Sequence, residues 1–265
     1  GLAFAIDSLL RYCTYFPEFL GREKWVEETE KRIIDFVTEG CYPDGGYRES
    51  TSNYDAGVLN SMSNFYDIVK VGDLTIPQEF TDMYHKLGLS LMGLSQLDKQ
   101  QFQWGDGGSY KNMQQVLKRV GENTGDTELL YYGTDGEEGT PPSFTSFYLP
   151  ISKMGSMRSG WDAETDVQSF LIGRIGGSHS HRHMNQMNVF GYGRLLLGDT
   201  GKSSYDARHP AVAWQSSRTE SHNSVEVNEK GQNSTTPEGG SMYKESDTDM
   251  YMNDRIDTYT GISRA

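Results

Sequence analysis

Histidines are concentrated in one short stretch of this chain. Three of the six histidines, His179, His181 and His183, fall within five residues. Alternate residues of a strand face the same side, so His181 and His183 can point into one pocket if the stretch is extended. Imidazoles placed in this way are suited to metal binding or to proton transfer. The alternative is a histidine-rich surface loop.

An acid and a further histidine follow the cluster. Asp199 lies in a Gly-Asp-Thr-Gly turn motif, and His222 lies in a Ser-His-Asn-Ser motif. Each is next to a segment with the pattern of a strand. Together with an imidazole of the cluster, they predict a His/Asp/His set of metal ligands.

A second group of chemically active side chains lies in the first half. Residues 43–54 read Pro-Asp-Gly-Gly-Tyr-Arg-Glu-Ser-Thr-Ser-Asn-Tyr. The two glycines permit backbone conformations that other residues avoid, and the loop leads into a predicted helix that begins near Tyr54. Tyr54 is therefore either a reactive phenol at a helix start or an ordinary aromatic of the core or its rim.

The elements that must position these residues differ between the two halves. Apolar residues recur at helical spacing around 2–13, 25–37, 58–69 and 77–91. Gly40 is expected as a C-terminal cap, Ser52 or Asn53 as an N-cap, and Pro77 in a first helical turn. Residues 99–143 contain several glycine and proline turn signals, which predict a turn-rich connector.

After Pro142 the pattern is typical of strands. Short, partly alternating segments lie between glycines at 157–161, 167–175, 187–197 and 224–228. Helices followed by strands predict an α+β protein with an antiparallel sheet, not a βαβ fold. A boundary near residue 140 predicts a helical domain at 1–140 and a β domain at 141–265.

Composition narrows the functional classes. The net charge is −13, which argues against nucleic acid as a partner. The mean hydropathy is −0.65, and no run approaches about 18 apolar residues, so no membrane span is predicted. Cys13 and Cys41 are too few for a disulfide framework and lack metal-ligand spacing.

Taken together, these stretches resemble the heparinase II/III-like polysaccharide lyases and their alginate-lyase relatives. Residues 44–49 with Tyr54 resemble the loop that presents the family's catalytic tyrosine, and 181–185 resemble its H-x-H-x-D strand. Residues 198–201 and 218–223 resemble its D-x-G and R-(T/S)-x-x-H-N segments. Met154 to Trp161 is similar to the family's first sandwich strand.

The resemblance implies an incomplete α/α toroid followed by an antiparallel β-sandwich, with the active cleft between them. It assigns Tyr54 as the general acid, with a role as base left open, and His181 as the second proton-transfer residue. It also implies that His183, Asp199 and His222 hold a structural Zn²⁺ inside the sandwich.

The chain departs from the family pattern at several points. Asn185 stands where Asp is usual, and His179 permits an alternative alignment in which His179 and His181 are the pair. The family's carboxylate-neutralising Asn or His would fall before Gly1, and the family's sandwich continues past Ala265. These departures lead us to expect a fragment cut at both ends.

Further side chains are candidates for the substrate site. Tyr205 resembles a cleft tyrosine of the family, and Trp104 can stack on a pyranose face, with core packing as the alternative for both. Glu49 is expected either to bind sugar hydroxyls or to pair with the neighbouring arginine. Arg218 and Arg158 are candidates for a cationic field that lowers the pKa of a catalytic phenol.

The leading hypothesis is a lyase that cleaves a 4-O-linked uronic-acid polysaccharide by β-elimination with Tyr/His proton transfer. The substrate would be a heparin or heparan sulfate type of glycosaminoglycan, or alginate. The alternatives are a non-catalytic glycan-binding fragment and a cupin-like metal enzyme, in which H-x-H on a barrel strand holds a redox metal. The expected partner is an acidic polysaccharide or oligosaccharide, and the resemblance implies a periplasmic or secreted protein.

Overall fold

The computed structural model describes residues 2–72, 74–108, 113–173, 177–206, 208–233, 241–244 and 250–253. The helices of the first part are α1 (Leu2–Tyr15), α2 (Arg22–Glu39), α3 (Tyr54–Val71), α4 (Gln78–Leu94), α5 (Gln114–Thr124) and α6 (Thr127–Gly133). The strands are β1 (Phe147–Leu149), β2 (Met154–Arg158), β3 (Val167–Ile172), β4 (Gln186–Gly191), β5 (Arg194–Leu197), β6 (Ser241–Lys244) and β7 (Met250–Asn253). Helix α7 (Pro210–Ser217) and a 3₁₀ turn (Thr219–Ser221) lie between β5 and β6.

The amphipathic helices of the first part share one apolar core. Helix α1 packs on α2 and α3, while α5 packs on α3, α4 and α6. The largest side chains of this core, including Phe65, Phe80 and Tyr84, are fully buried. The buried Tyr84 hydroxyl lies 2.6 Å from Ser63 Oγ, so the polar end of this ring is satisfied inside the core.

The sheet is an antiparallel meander in the order β1-β2-β3-β4-β5. Strands β4 and β5 are joined by a two-residue turn at Tyr192 (φ 54°) and Gly193 (φ 74°). Left-handed conformations at both positions are typical of the hairpin turn that matches strand twist. On the buried face, Phe170 stacks on Phe102 with ring centroids 5.1 Å apart, so the sheet packs on the segment that follows α4.

The end of α4 is where the helical part meets the sheet. A Cβ atom at Gly93 would clash with the ring of Phe147, so the helix can approach β1 closely only with glycine there. Arg158 of β2 is 3% exposed and donates from Nη2 to Gly93 O at 2.7 Å and to Ser95 O at 2.9 Å. A buried guanidinium thus satisfies the last carbonyls of α4 and stabilises the negative end of the helix.

This placement corrects one prediction. Arg158 was expected to contribute to a cationic field around a catalytic phenol, but its charge is directed at the end of α4. Burial lowers the pKa of Arg158 to about 10. Its role in the described structure is to join the helical part to the sheet.

The four predicted helical stretches are confirmed as α1 to α4. The prediction of a turn-rich connector over 99–143 is wrong in part, since α5 and α6 lie inside it. Helix α5 packs on α3 and α4, and α6 packs on α5 and α4; the buried apolar side chains include Leu117, Val120 and Leu129. Tertiary packing therefore outweighs the glycines that surround them.

Three of the four predicted strand segments contain strands, although their boundaries differ. The segment 187–197 is a hairpin, not one strand. The segment 224–228 is not a strand, because it contains only an isolated bridge between Val227 and Lys230. Ile175, the last residue of one predicted strand, lies outside the described residues. Among the residues that are described, every helix is too short or too polar to cross a lipid bilayer.

Candidate functional site

The histidine cluster lies in a loop, not on a strand. Residues 177–185 have no regular secondary structure and lead into β4 at Gln186. The expectation that His181 and His183 occupy a strand is therefore wrong. The exposure of the three histidines therefore does not follow strand alternation. His179 is partly exposed, whereas His181 and His183 are 1% and 0% exposed.

Asp106 holds this loop from the helical side. Its backbone N–H donates to His179 O at 2.9 Å, and its carboxylate Oδ2 lies 2.9 Å from His179 Nδ1. Gly105 precedes it with φ +57°, and a Cβ there would come 2.6 Å from the same His179 carbonyl oxygen. Only glycine therefore permits this close approach between the two segments.

The same carboxylate receives two further donors. His181 Nε2 lies 2.9 Å from Asp106 Oδ1, and Lys202 Nζ lies 2.8 Å from Oδ2. Burial alone would raise the pKa of Asp106, but hydrogen bonds from Lys202, His179 and His181 outweigh it and lower the pKa. An ionised carboxylate only accepts hydrogen bonds, so His179 Nδ1 and His181 Nε2 carry the protons in these pairs.

Tyr54 is positioned by the same connector. The N-cap of α3 is Asn53, one of the two predicted residues, but its side chain does not cap the helix, and its φ is 74°. Its backbone N–H donates to Gln101 Oε1 at 2.9 Å, and Gln101 Nε2 donates to Asp55 Oδ1 at 2.8 Å. Residues 101–106 thus hold both the helix start that carries Tyr54 and the loop that carries the histidines.

These contacts bring two phenols and an imidazole together. The Tyr54 hydroxyl lies 2.7 Å from the Tyr205 hydroxyl, and the Tyr54 ring lies 4.6 Å from the His179 ring. Lys202 Nζ lies 4.1 Å above the Tyr205 ring, which is a cation–π contact. The pKa of Tyr205 is raised, chiefly by burial of its hydroxyl and also by Tyr54 and Asp106.

A second group of imidazoles is buried behind the first. The ring centroids of His181, His183 and His222 are 5.3 to 6.1 Å apart. His222 Nδ1 lies 2.6 Å from Asp199 Oδ2, and both side chains are inaccessible to solvent. The structure thus brings the three predicted metal ligands, His183, Asp199 and His222, into one buried cluster.

Several nitrogens of this cluster have no hydrogen-bond partner among the residues that the structure describes. They are His181 Nδ1, His183 Nδ1 and His222 Nε2, all buried. Burial lowers the pKa of His183 well below its usual value, with His222 and His181 adding to the effect. Neutral imidazoles with open nitrogens suit a cation such as Zn²⁺. Within the described ranges, however, no group of three or more His, Cys, Asp or Glu side chains is already arranged to hold a metal ion.

The four predicted substrate-binding residues differ in their position and exposure. Glu49 Oε2 lies 3.8 Å from His179 Nε2, at the site. Tyr205 is 63% exposed, whereas Trp104 is 2% exposed and packs on Phe170 at 5.1 Å between ring centroids. The burial of Trp104 corresponds to the core-packing alternative. Arg218 is exposed and lies between α7 and the 3₁₀ turn.

The chain is similar to known proteins in two comparisons, one with a family model and one with a curated relative. Residues 2–132 match the family described as heparinase II/III N-terminus. A heparin-sulfate lyase of Pedobacter heparinus is 24% identical over 195 residues, which covers 72% of this chain and 30% of the lyase. Over residues 2–132 the chain is therefore similar to the heparinase II/III N-terminus, and over 195 residues it is similar to a heparin-sulfate lyase.

Solved structures of heparinase II/III-like proteins share the fold. The crystal structure of the heparan sulfate lyase HepC from Pedobacter heparinus superposes with a TM-score of 0.78 at 20% identity, covering 91% of this chain and 40% of HepC. A crystal structure of heparinase III gives a TM-score of 0.79 at 18% identity, covering 90% of this chain and 40% of that one. The chain therefore spans less than half the length of these relatives.

Sequence reasoning missed two residues of this cluster, Asp106 and Lys202. Asp106 lies in a Gly-Asp-Gly-Gly run that was interpreted as a connector, and Lys202 directly follows Gly201 of the Asp199 turn. A charged residue flanked by glycines is itself a signal, because such a backbone can approach another segment closely. That signal indicates that the charged residue contacts another segment, but it does not indicate which side chain of that segment is the partner.

Proposed function

We propose that the protein containing this chain is a polysaccharide lyase that cleaves a 4-O-linked uronic-acid polymer by β-elimination. The observation that carries the proposal is the junction of Tyr54, Tyr205 and an imidazole of the 179–183 loop, built on Asp106. The relatives are named as lyases of heparin or heparan sulfate, which favours a glycosaminoglycan of that type over alginate.

β-Elimination at a uronate needs three contributions from the site. Neutralising the C5 carboxylate raises the acidity of the C5–H bond. A base then removes that proton, and the electron pair of the C–H bond forms the C4–C5 double bond. As the C4–O4 bond breaks, an acid gives a proton to O4. No water is consumed, and the product carries a new ultraviolet chromophore.

Tyr54 is proposed as the acid of this reaction. It lies at the start of α3, it is partly exposed, and its hydroxyl is in hydrogen-bond contact with a second phenol, Tyr205. A phenol can therefore lose a proton to O4 and recover it within the same cluster. Lys202 adds positive charge next to the phenols, at a site where the substrate is an anion.

Zn²⁺ is proposed as a structural cofactor of the buried cluster. His183 and His222 offer open nitrogens, and Asp199 either binds the metal or orients His222 as a carboxylate–histidine pair. When bound, the metal would link the histidine loop to the Asp199 turn and the His222 segment. Because the described side chains are not already arranged as a metal site, the rings must adjust on binding.

The finer architecture is also part of the proposal. We propose that the helices of the described part belong to an incomplete α/α toroid and that β1 to β5 form one layer of a β-sandwich. The site then lies in the cleft between them. A periplasmic or secreted location follows from the proposed substrate, which is an acidic polymer found outside the cytoplasm. The cupin-like alternative loses its support, because the histidines lie in a loop and not on a barrel strand.

The experiment is a turnover assay with the full protein that carries this sequence. Heparan sulfate, heparin and alginate are offered separately, and ultraviolet absorbance of the unsaturated product is followed over time. The proposal predicts absorbance growth with a sulfated glycosaminoglycan and no ¹⁸O uptake from labelled water. Binding of these polymers without any chromophore would instead support a glycan-binding protein.

A further inference from the structure

A small cavity separates the loop that leads into α3 from the sheet. Its volume is about 20 Å³, measured as the space open to the centre of a water molecule, and its walls come from the 45–51 loop, α3, α4, Trp104, β1 and β2. We propose that this cavity binds one water molecule, held by Trp104, Asp55 and Ser50. This water joins the start of α3 to the connector that holds the histidine loop.

Two polar groups of the cavity wall have no hydrogen-bond partner among the described residues. Trp104 and Ser50 are each 2% exposed, and Trp104 Nε1 and Ser50 Oγ are both buried and unpaired. An indole N–H can only donate, so Trp104 requires an acceptor. Because a buried donor without an acceptor is costly, an acceptor inside the cavity is favoured.

Asp55 lines the same cavity and has an oxygen to spare. Its Oδ1 accepts from the Ala56 N–H and from Gln101 Nε2, both at 2.8 Å, whereas its Oδ2 makes no hydrogen bond to the described residues. Burial raises the pKa of Asp55 to about 6, so the group is ionised at neutral pH and only accepts. The cavity therefore suits a molecule that accepts from Trp104 and donates to Asp55.

The other hydroxyl groups of the cavity wall already have partners. Thr51 and Ser90 donate to backbone carbonyl oxygens, at 3.0 and 2.8 Å. The Tyr47 hydroxyl is hydrogen-bonded to Glu49. The unsatisfied groups of the wall are thus two donors and one carboxylate oxygen, which is the set that a single bridging molecule can serve.

Size and chemistry favour water over an ion. A buried water needs about 10–15 Å³ and typically makes about three hydrogen bonds, which Trp104, Asp55 and Ser50 supply. A cation such as Ca²⁺ takes about six to eight oxygen ligands, and the Trp104 N–H would direct its proton at the positive charge. An anion would lie against the Asp55 carboxylate. Water accepts from the indole and donates to the carboxylate at once.

The water strengthens a link between two parts of the candidate site. Asp55 directly follows Tyr54 in α3, and Trp104 lies two residues before Asp106, which contacts the histidine loop. The same two segments also touch directly, since Thr51 Oγ1 donates to Trp104 O at 3.0 Å. Trp104 is therefore a positioning residue for Tyr54. This consequence rests on the proposed lyase function, whereas the water site does not.

The site is tested directly by a high-resolution crystal structure of the full protein. We expect one water in the cavity, about 2.7–3.2 Å from Trp104 Nε1 and from an Asp55 carboxylate oxygen. In solution, the indole proton of ¹⁵N-labelled Trp104, assigned by its loss in Trp104→Phe, should show a nuclear Overhauser effect to water. A cavity without density, or an ion with oxygen ligands at about 2.3–2.6 Å, would overturn the proposal.

The positioning role is tested by an isosteric replacement. Benzothienylalanine at position 104 has sulfur in place of the indole N–H, so the donor is lost while the shape is kept. We expect kcat on heparan sulfate to fall by about 10-fold with KM within about twofold. The same replacement at Trp161 is the matched control, because its Nε1 donates directly to Phe144 O at 2.7 Å and it does not line the cavity. The control should turn over like the wild type.

The outcomes separate this inference from the function. Wild-type kcat with benzothienylalanine at position 104, or an equal loss in the Trp161 control, would overturn the positioning role. A wild-type protein that produces no chromophore would overturn the lyase function, and the crystal structure and the indole signal would still decide whether the water is bound.

Discussion

Asp44 joins the loop that leads to Tyr54 with the sheet. Its Oδ2 accepts from the backbone N–H groups of Ile151 at 2.7 Å and Ser152 at 2.8 Å, and its Oδ1 accepts from Ser152 Oγ at 2.6 Å. The loop is close enough to the sheet that a Cβ atom at Gly46 would clash with Ser152 Oγ. We therefore predict that Asp44→Ala weakens the contact between this loop and the sheet and lowers the free energy of unfolding.

The magnitude follows from the burial of the donors. Ser152 is 0% exposed, so its N–H and hydroxyl lose their acceptor in a place that water does not reach. Each buried donor left unsatisfied costs about 1–3 kcal/mol. Ile151 is 45% exposed, so water replaces its lost acceptor. For these two donors the expected loss in the free energy of unfolding is about 2–6 kcal/mol.

Urea unfolding followed by circular dichroism measures this loss. Asp162→Ala is the control, because Asp162 also accepts two backbone N–H groups, from Glu164 and Thr165, but only within its own exposed loop. We expect a clearly smaller loss for the control. A loss below about 1 kcal/mol for Asp44→Ala, or equal losses for the two variants, would refute the reasoning, because that is the lower limit for a buried donor.

Three further predictions concern other buried charges and imidazoles. Burial raises the pKa of Asp55 to about 6, so this group lowers stability as pH rises from about 4 to about 6. Asp55→Asn keeps an acceptor for Gln101 and should flatten that part of the stability–pH curve; an unchanged slope would contradict this. Arg158→Met removes the Arg158 donor from the carbonyl oxygens of Thr145 and Gly93, while Ser95 O keeps its hydrogen bond from Gln168 Nε2. The variant should cost about 3 kcal/mol in denaturant unfolding, whereas a loss within error of zero would count against the role of Arg158 at the end of α4. His183→Ala should lower the zinc content found by elemental analysis and also the thermal stability; unchanged metal content would reject His183 as a ligand.

The sequence predicts most of the fold because its strongest signals are local. Helices α1 to α4 have regular apolar spacing, and β3 and β4 have strand patterns between glycines. Helix α6 has only seven residues, and α5 follows a glycine-rich run, so neither is evident from spacing alone. Their stability comes from packing of α5 on α3 and α4 and of α6 on α5 and α4, which the sequence does not display.

The site is less predictable, because it depends on contacts between distant segments. Tyr54 and the histidines are recognisable by type and motif, and the structure places them at one junction. Asp106 has no motif of its own: its importance comes from contacts with residues 73 to 96 positions away. The exposure of His179 and the burial of His181 also depend on the loop conformation, which strand alternation predicts wrongly.

The central claim is that Tyr54 takes part in β-elimination, and one comparison tests it most directly. Tyr54→Phe removes only a hydroxyl, so the full protein should fold normally but lose about 100-fold or more in the rate of chromophore formation on heparan sulfate. Tyr148→Phe, on the exposed rim of β1, is the control and should retain wild-type turnover. Wild-type turnover by Tyr54→Phe would contradict the account.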